Sequence, residues 1–367
     1  MKISGLQLFW LMLSLVTGSG MLFTLSPTII EAKQDAWIAA AFAGVIGLCI
    51  VFLAVKLSLL YPDQTFVQYS QQILGKWLGK IIIVPPFVWL YSLDGMILRD
   101  SSEFVYLALF NRTPVYVLLV TLLILAVYVI YTGGIEGIAR CSEIMGPLIV
   151  LMVVGTCVLS LNHADWHQLT PVYADSGIKS ILKGSIPITV FYSSMIFFTM
   201  VICFLSDSRQ ALSRAMWGMA IASFFILVAT AMVTMTFGPE LASRMWVPFF
   251  DMTRSISLLG FIQNVDIVVV IIWLFSVFLK FSLLLFITIY GTAQWLNMRD
   301  WRKLMWIVVP IVYGISLLPK NLAVILSDYT KAITPYTMSI NVFGIPLLLW
   351  IVGTIRQKRA NKKVRQR

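Results

Sequence analysis

The chain has 367 residues, of which 59% are hydrophobic and only 12% charged, and its formal net charge is +11 at pH 7. Soluble domains carry about 25% charged residues, so too little polar surface is available here to cover a water-soluble globule. A basic nucleic-acid module would gather Lys and Arg on one folded face, whereas here they separate long apolar runs. The composition excludes a soluble enzyme, a nucleic-acid module and a disordered chain, and indicates a multi-pass membrane protein.

Ten apolar segments are each suited to cross the membrane as a helix. A helical span needs about 20 mainly apolar residues, and open strands are excluded because backbone polar groups in lipid need internal partners. The predicted fold class is therefore an all-α polytopic membrane protein, with a single transmembrane domain over 1–355 and a basic tail at 356–367. The segments are 6–28, 37–55, 81–110, 114–132, 144–161, 186–205, 215–237, 262–296, 304–319 and 338–355.

An even number of spans places both termini on one side of the membrane, here called side one, and the opposite face is side two. Most Lys and Arg residues fall on side one, many of them after residue 355. Cytoplasmic loops are enriched in Lys and Arg. We therefore expect side one, with the C-terminus, to be cytoplasmic.

The first and sixth segments contain residues that interrupt helices. Transporters built from an inverted five-plus-five repeat place their ligand at two such broken helices, one half-chain apart. The alternatives are close helix packing at the glycines and hydrogen bonds from the serines back to their own helix. The residues concerned are Gly18-Ser19-Gly20 in the first segment, and Gly184-Ser185-Ile186-Pro187 with Phe191-Tyr192-Ser193-Ser194 in the sixth.

The third segment carries four charged residues: Asp94, Arg99, Asp100 and Glu103. Unpaired charges at this depth cost several kcal/mol, so these side chains are expected to face protein or water. Arg99 and Glu103 are one helical turn apart, and we predict that they form a structural ion pair.

Lys280 lies near the middle of the eighth segment, about 24 Å from either end by helical rise. A lysine side chain cannot reach the membrane surface from that depth, so it must meet a carboxylate, a backbone carbonyl or a water-filled cavity. We predict that its partner is Asp94 or a carbonyl at the interruption of the first helix.

The sequence contains no Gly-rich phosphate loop, catalytic triad or paired-carboxylate arrangement, so we predict no enzymatic activity, no catalytic residues and no cofactor. His163 and His167 would form only half of a metal site, and this spacing is more typical of a solvated loop. No metal site is predicted.

A series of short motifs runs in order along nearly the whole chain. Together they resemble the B-type, permease-like subunits of bacterial spore germinant receptors. The motifs are residues 3–7 with Gly18-Ser19-Gly20, then 62–69, 73–80, Thr113-Pro114, 134–140, and Trp273 with 278–282.

The resemblance implies a ten-helix fold similar to the amino acid–polyamine–organocation transporters, with a ligand pocket between broken helices one and six, lined by helices three and eight. It implies a receptor subunit that binds a small nutrient such as an amino acid in the spore inner membrane, beside an A-type membrane subunit and a C-type lipoprotein. The alternative is a proton- or ion-coupled amino acid permease. The pocket residues implied by position are Gly18, Ser19, Gly20, Tyr91, Phe191, Ser193, Ser194, Lys280 and Ser282.

One departure from that family affects the expected ligand. Many members resemble Pro-Phe-Gly-Glu in the sixth segment, where this chain has Phe191-Tyr192-Ser193-Ser194. A site lined by hydroxyl groups would hydrogen-bond a zwitterion or a sugar but could not neutralise an amine.

Overall fold

The computed structural model describes residues 1–110, 112–173, 177–255, 265–318 and 337–365. The fold in these ranges is built from α-helices joined by short connections. In chain order they are α1 (Gly5–Phe23), α2 (Leu25–Ala32), α3 (Ala36–Ser58), α4 (Phe66–Leu74), α5 (Lys76–Ile81), α6 (Val84–Ala108), α7 (Val115–Ser160), α8 (Gly177–Ser193), α9 (Ala211–Arg244), α10 (Pro248–Arg254), α11 (Val265–Trp295), α12 (Met305–Ser316) and α13 (Ile345–Arg365).

Eight helical segments in the described ranges are long and apolar enough to cross a membrane. The count differs from the ten predicted segments for two reasons. The predicted fourth and fifth segments lie in one element, Val115–His163. The predicted ninth segment corresponds to α12, which has only 12 residues, and its last residue and the first residues of the eighth lie outside the described ranges.

Helix α7 consists of two helices joined by a sharp reversal at Gly134. Gly134 has a φ of 53°, a left-handed conformation that glycine adopts without steric cost. A Cβ on Gly137 would lie 3.4 Å from the carbonyl oxygen of Val129, although a straight helix would separate these residues by about 12 Å. The chain therefore turns back here, and the predicted fourth and fifth segments run in opposite directions.

The connections assigned to side one lie together at one end of the helices, where they contact one another. Ile3 pairs with Leu205 in a β-bridge, and the Arg302 side chain donates to the carbonyl of Tyr131 at 3.2 Å. At the opposite end, the Tyr173 amide donates to Asp35 at 3.0 Å. The alternation of loops between two sides thus agrees with the spans read from the sequence.

The residues predicted as a separate tail continue the last helix. Helix α13 runs without interruption from Ile345 to Arg365, across the predicted boundary at residue 355. The Arg356 guanidinium donates to the carbonyl of Gln72 at 3.3 Å, and the Gln357 amide donates to that of Leu60. The start of the tail is therefore packed against the side-one connection after α3.

The first membrane helix is interrupted, but not where the glycines predict. Helix α1 continues through Gly18 and Gly20 to Phe23, and α2 begins at Leu25, so Thr24 alone separates the two helices. The Thr24 hydroxyl donates to the carbonyl of Gly20 at 2.7 Å, a local bond of the kind that bends helices. Of the two readings left open for Gly18-Ser19-Gly20, the structure shows close helix packing, and the interruption of the first helix lies four residues further, at Thr24.

The sixth membrane helix changes geometry at the predicted serines. Helix α8 ends at Ser193, and the chain continues as a 3₁₀-helix over Ser194–Met200. The Ser194 hydroxyl donates to the carbonyl of Phe191 at 3.0 Å, and the Ser193 hydroxyl donates to that of Val190. A 3₁₀ stretch within a helix often marks a hinge, and this one begins three residues after Phe191.

Substitution of Gly18 tests whether α1 and α11 are in close contact. A Cβ on Gly18 would overlap the Ser276 side chain, whereas one on Gly155 would meet nothing within 4 Å. We expect Gly18→Ala to lower the free energy of unfolding by about 1–3 kcal/mol through overpacking. The matched Gly155→Ala control should be neutral or stabilising, as alanine usually is in a helix. Thermal unfolding in one detergent measures both, and equal effects would contradict the close contact.

Candidate ligand-binding site

Lys280 is the centre of the candidate site. Its side chain is 4% exposed, and its Nζ lies 3.4 Å from the ring centroid of Phe191 on α8. Among the described residues it has no hydrogen-bond acceptor and no ion-pair partner, while the Asp100 carboxylate lies within electrostatic range. A buried ammonium with unused N–H groups can bind an acceptor that enters the site.

Helices α6 and α11 pack antiparallel, and their register determines which carboxylate faces Lys280. The Asp94 carboxylate accepts a hydrogen bond from the Thr288 hydroxyl at 2.5 Å. Thr288 is two turns beyond Lys280, about 12 Å along the helix. The prediction that Asp94 is the partner of Lys280 is therefore wrong, because the register brings Asp100 to the level of Lys280 instead.

Asp100 belongs to a small cluster of charges on α6. Arg99 Nη2 lies 2.6 Å from Glu103 Oε1, and both side chains are less than one-fifth exposed. Asp100 is beside them, and its Oδ1 is buried and accepts no hydrogen bond from the described residues. Both Lys280 and Arg99 lie within electrostatic range of the Asp100 carboxylate, which makes Asp100 the carboxylate on α6 that interacts with Lys280.

Helix α1 lies against α11 beside this cluster. The Ser276 hydroxyl donates to the carbonyl of Ser14 at 2.5 Å, and a Cβ on Gly20 would lie 3.2 Å from the Phe191 ring. The Ser19 hydroxyl and the Trp273 indole N–H are buried without hydrogen-bond partners among the described residues. Helices α1, α6, α8 and α11 therefore meet around Lys280, and polar groups from three of them are unused.

A layer of aromatic rings separates Lys280 from side two. The ring of Phe104 contacts rings from three other elements, at centroid distances of 4.4 Å to Trp273, 5.6 Å to Phe250 and 6.1 Å to Phe23. Trp273 lies seven residues before Lys280, about 10 Å nearer to side two. We call Phe23, Phe104, Phe250 and Trp273 the aromatic layer; it lies between Lys280 and the side-two end of α11.

The other predicted pocket residues are placed differently. Ser193 and Ser194 direct their hydroxyls to carbonyls of their own helix. Ser282 is buried, but it lies about 200° around α11 from Lys280. Tyr91 bonds to Thr292 at 3.1 Å, about 18 Å along α11 from Lys280, so it is not at the level of the site.

Sequence reasoning missed Asp100 as the facing carboxylate and Phe104 as the centre of the aromatic layer. Both lie in the charged third segment, and Phe104 follows Asp100 by four residues, so one helix face carries both. This four-residue spacing could have indicated that Asp100 and Phe104 belong to the same site. Their partners on α11 and α10 depend on helix register, which the spacing along one helix does not contain.

The helical arrangement defines a membrane protein of the transporter fold. A solved structure of Mhp1, a nucleobase-cation-symport-1 family transporter in a closed conformation with bromovinylhydantoin bound, matches with a TM-score of 0.66 and 12% identity, over 96% of this chain and 90% of that one. MhsT in complex with L-phenylalanine matches with a TM-score of 0.60 and 15% identity, over 95% and 87%. Both have the leucine-transporter fold, and at this identity they show the fold alone.

Sequence comparison identifies the family. Residues 2–325 match the family described as spore germination protein. Spore germination protein YndE of Bacillus subtilis (strain 168) is 28% identical over 364 residues, which cover 97% of this chain and 98% of that protein. The chain belongs to the spore germination protein family, the B-type germinant receptor subunits.

Loss of the Phe104 ring should open the site from side two. In a background without the native cysteines, we expect a Lys280→Cys thiol to react slowly with a membrane-impermeant reagent supplied at side two. Replacing a Phe in a packed core by Ala lowers stability by about 3–5 kcal/mol. Each 1.4 kcal/mol by which the closed arrangement is destabilised raises the population of the open, reactive arrangement about tenfold. Adding Phe104→Ala should therefore raise the labelling rate at least tenfold.

The control for this labelling experiment is Phe42→Ala, which removes an exposed ring outside the aromatic layer. It should leave the rate unchanged. Rapid labelling with Phe104 intact would mean that the aromatic layer does not close the site.

Proposed function

We propose that this chain is the nutrient-sensing B-type subunit of a spore germinant receptor and binds a small nutrient, such as an amino acid, beside Lys280. The observation that carries the proposal is the buried Lys280 ammonium, which lies over the Phe191 ring without a hydrogen-bond acceptor among the described residues. Polar and ionisable groups inside a membrane are costly, and they mark ligand and ion sites by default.

The charges around the site suit a zwitterion. The carboxylate of an amino acid would accept hydrogen bonds from Lys280, and its ammonium would donate to the unused Oδ1 of Asp100. Asp100 thereby supplies the carboxylate that the sixth segment lacks, so neutralisation of an amine no longer requires a carboxylate there. The solved complex of MhsT with L-phenylalanine, which has the same fold, supports an amino acid as the ligand class.

The connection from the site to side one offers a route for the signal. Phe191 is followed by the 3₁₀-helix Ser194–Met200 and then by Leu205, which pairs with Ile3 ahead of α1. A ligand shifts a conformational equilibrium only by its different affinity for the two states. A nutrient held between Lys280 and Phe191 would bias the position of this segment, and the A-type subunit and the C-type lipoprotein would respond to it.

The same proposal places the protein in the spore inner membrane with the C-terminus in the cytoplasm. The basic connections gather at one end, where Arg302 contacts the chain reversal of α7 and Arg356 contacts the connection after α3. An excess of Lys and Arg is typical of cytoplasmic loops.

Removal of the Lys280 ammonium should abolish nutrient binding. The measurement is equilibrium binding of a labelled amino-acid mixture to proteoliposomes that contain the full chain. Losing one partner of a buried charge pair costs about 2–5 kcal/mol, so Lys280→Ala should weaken binding by about thirtyfold or more. Lys183→Ala removes an exposed lysine from α8 and should bind as the wild type does. Wild-type affinity in correctly inserted Lys280→Ala protein would overturn the proposal.

Measurements of binding and uptake in the same proteoliposomes distinguish a receptor from a permease. Saturable binding without accumulation under an imposed proton gradient supports a sensor, while gradient-driven accumulation would make the chain a permease.

Asp100→Asn tests the proposed amine contact. The substitution removes the negative charge with little change in volume, so affinity for amino acids should fall by about tenfold or more, as for loss of a charge-assisted hydrogen bond worth about 1.5–3 kcal/mol. Affinity for the matching deaminated carboxylic acids should not fall, because the Lys280 contact remains. Asp165→Asn, at an exposed loop position, is the control. Equal losses for both ligand classes would contradict an amine contact at Asp100.

A further inference from the structure

Asp94 is a buried carboxylate that the nutrient site does not use. It lies within the membrane-spanning part of α6 and is 0% exposed. Its Oδ2 accepts a hydrogen bond from Thr288 at 2.5 Å, and its Oδ1 has no hydrogen-bond partner among the described residues. Two helices therefore hold the group in a fixed position with one oxygen unused.

Among the described residues, no positive charge compensates Asp94. Helices α7, α11 and α12 and the segment Thr337–Gly344 pack against α6, and their described residues bring no charged side chain into electrostatic range of this carboxylate. On α6 itself the titratable neighbour is the Tyr91 phenol, one turn away. An isolated ionised carboxylate inside the membrane costs several kcal/mol unless it gains a partner or a proton.

A metal ion does not fit this position. Ions such as Ca²⁺ and Mg²⁺ take about six oxygen ligands, whereas Asp94 and Thr288 provide the oxygens that meet here. In the described ranges no group of three His, Cys, Asp or Glu side chains comes together. The donor set therefore matches a proton, which needs one carboxylate oxygen.

Hydroxyl groups continue from Asp94 toward side one. Thr292 follows Thr288 by one turn of α11 and bonds to the Tyr91 hydroxyl at 3.1 Å; both of these residues are partly exposed. Tyr91 and Thr292, one turn nearer to side one than Asp94 and Thr288, therefore provide the first polar groups between Asp94 and the side-one solution.

We propose that Asp94 is an exchangeable proton-binding site within the membrane, supplied from side one. The carboxylate takes up one proton from solution and forms a carboxylic acid, and the reverse step returns that proton. Asp94 lies about 9 Å along α6 from Asp100, so the proton site is separate from the nutrient site. The proton site goes beyond the receptor function and does not depend on which nutrient binds.

Infrared difference spectroscopy tests the proton site directly. Spectra of the full chain in lipid nanodiscs are recorded in acidic and in alkaline buffer, without a nutrient. The expected result is a carboxylic-acid C=O band that appears on acidification, shifts in heavy water and is lost in Asp94→Asn. Thr288→Val removes the hydroxyl that bonds to Asp94 with little change in volume, and it should shift the frequency of the same band.

The control is Asp165→Asn, at an exposed loop carboxylate, which should leave the Asp94 band unchanged. Tyr91→Phe should slow the appearance of the band in heavy water several-fold, because it removes a hydroxyl from the route. A spectrum that neither Asp94→Asn nor Thr288→Val alters would overturn the proposal, as would an Asp94 band of equal intensity in both buffers. Unchanged exchange in Tyr91→Phe would overturn the side-one route.

Discussion

The arrangement of the inner helices depends on how the membrane interior accommodates the Lys280 ammonium. Lipid offers no hydrogen-bond acceptor at that depth, so neighbouring helices must supply the compensation. Phe191 on α8 provides a ring face at 3.4 Å, and Asp100 on α6 provides a negative charge within range. One cation thereby relates three helices, and because its N–H groups are not used up, the same point can receive a ligand.

Small side chains make this convergence sterically possible. Gly18 allows α1 to approach Ser276, and Gly20 allows it to approach the Phe191 ring. In membranes, where lipid tails are as apolar as leucine, helix association relies on such close packing. The glycines thus bring α1 to the site as an intact helix, and the bend follows at Thr24, where the hydroxyl bonds back to Gly20.

The charged and hydroxyl groups of α6 divide into two regions along its antiparallel contact with α11. Asp100 faces Lys280 beneath the aromatic layer, whereas Asp94 and Tyr91 contact Thr288 and Thr292 nearer to side one. Their separation follows from the helical rise, since six residues span about 9 Å. A nutrient site and a proton site on the same pair of helices can therefore be distinct.

The sequence by itself determined the membrane class, the positions of the spans, the Arg99–Glu103 spacing and the burial of Lys280, because hydropathy and helical rise are local properties of the chain. It also contained the motifs by which the family can be recognised. Only the tertiary structure decided that Asp100 rather than Asp94 faces Lys280. It also decided that Gly18 packs against α11 without interrupting α1, and that Tyr91 lies away from the site. These outcomes depend on the register between helices far apart in the chain, which is set by packing among several helices together and is not encoded in any single segment.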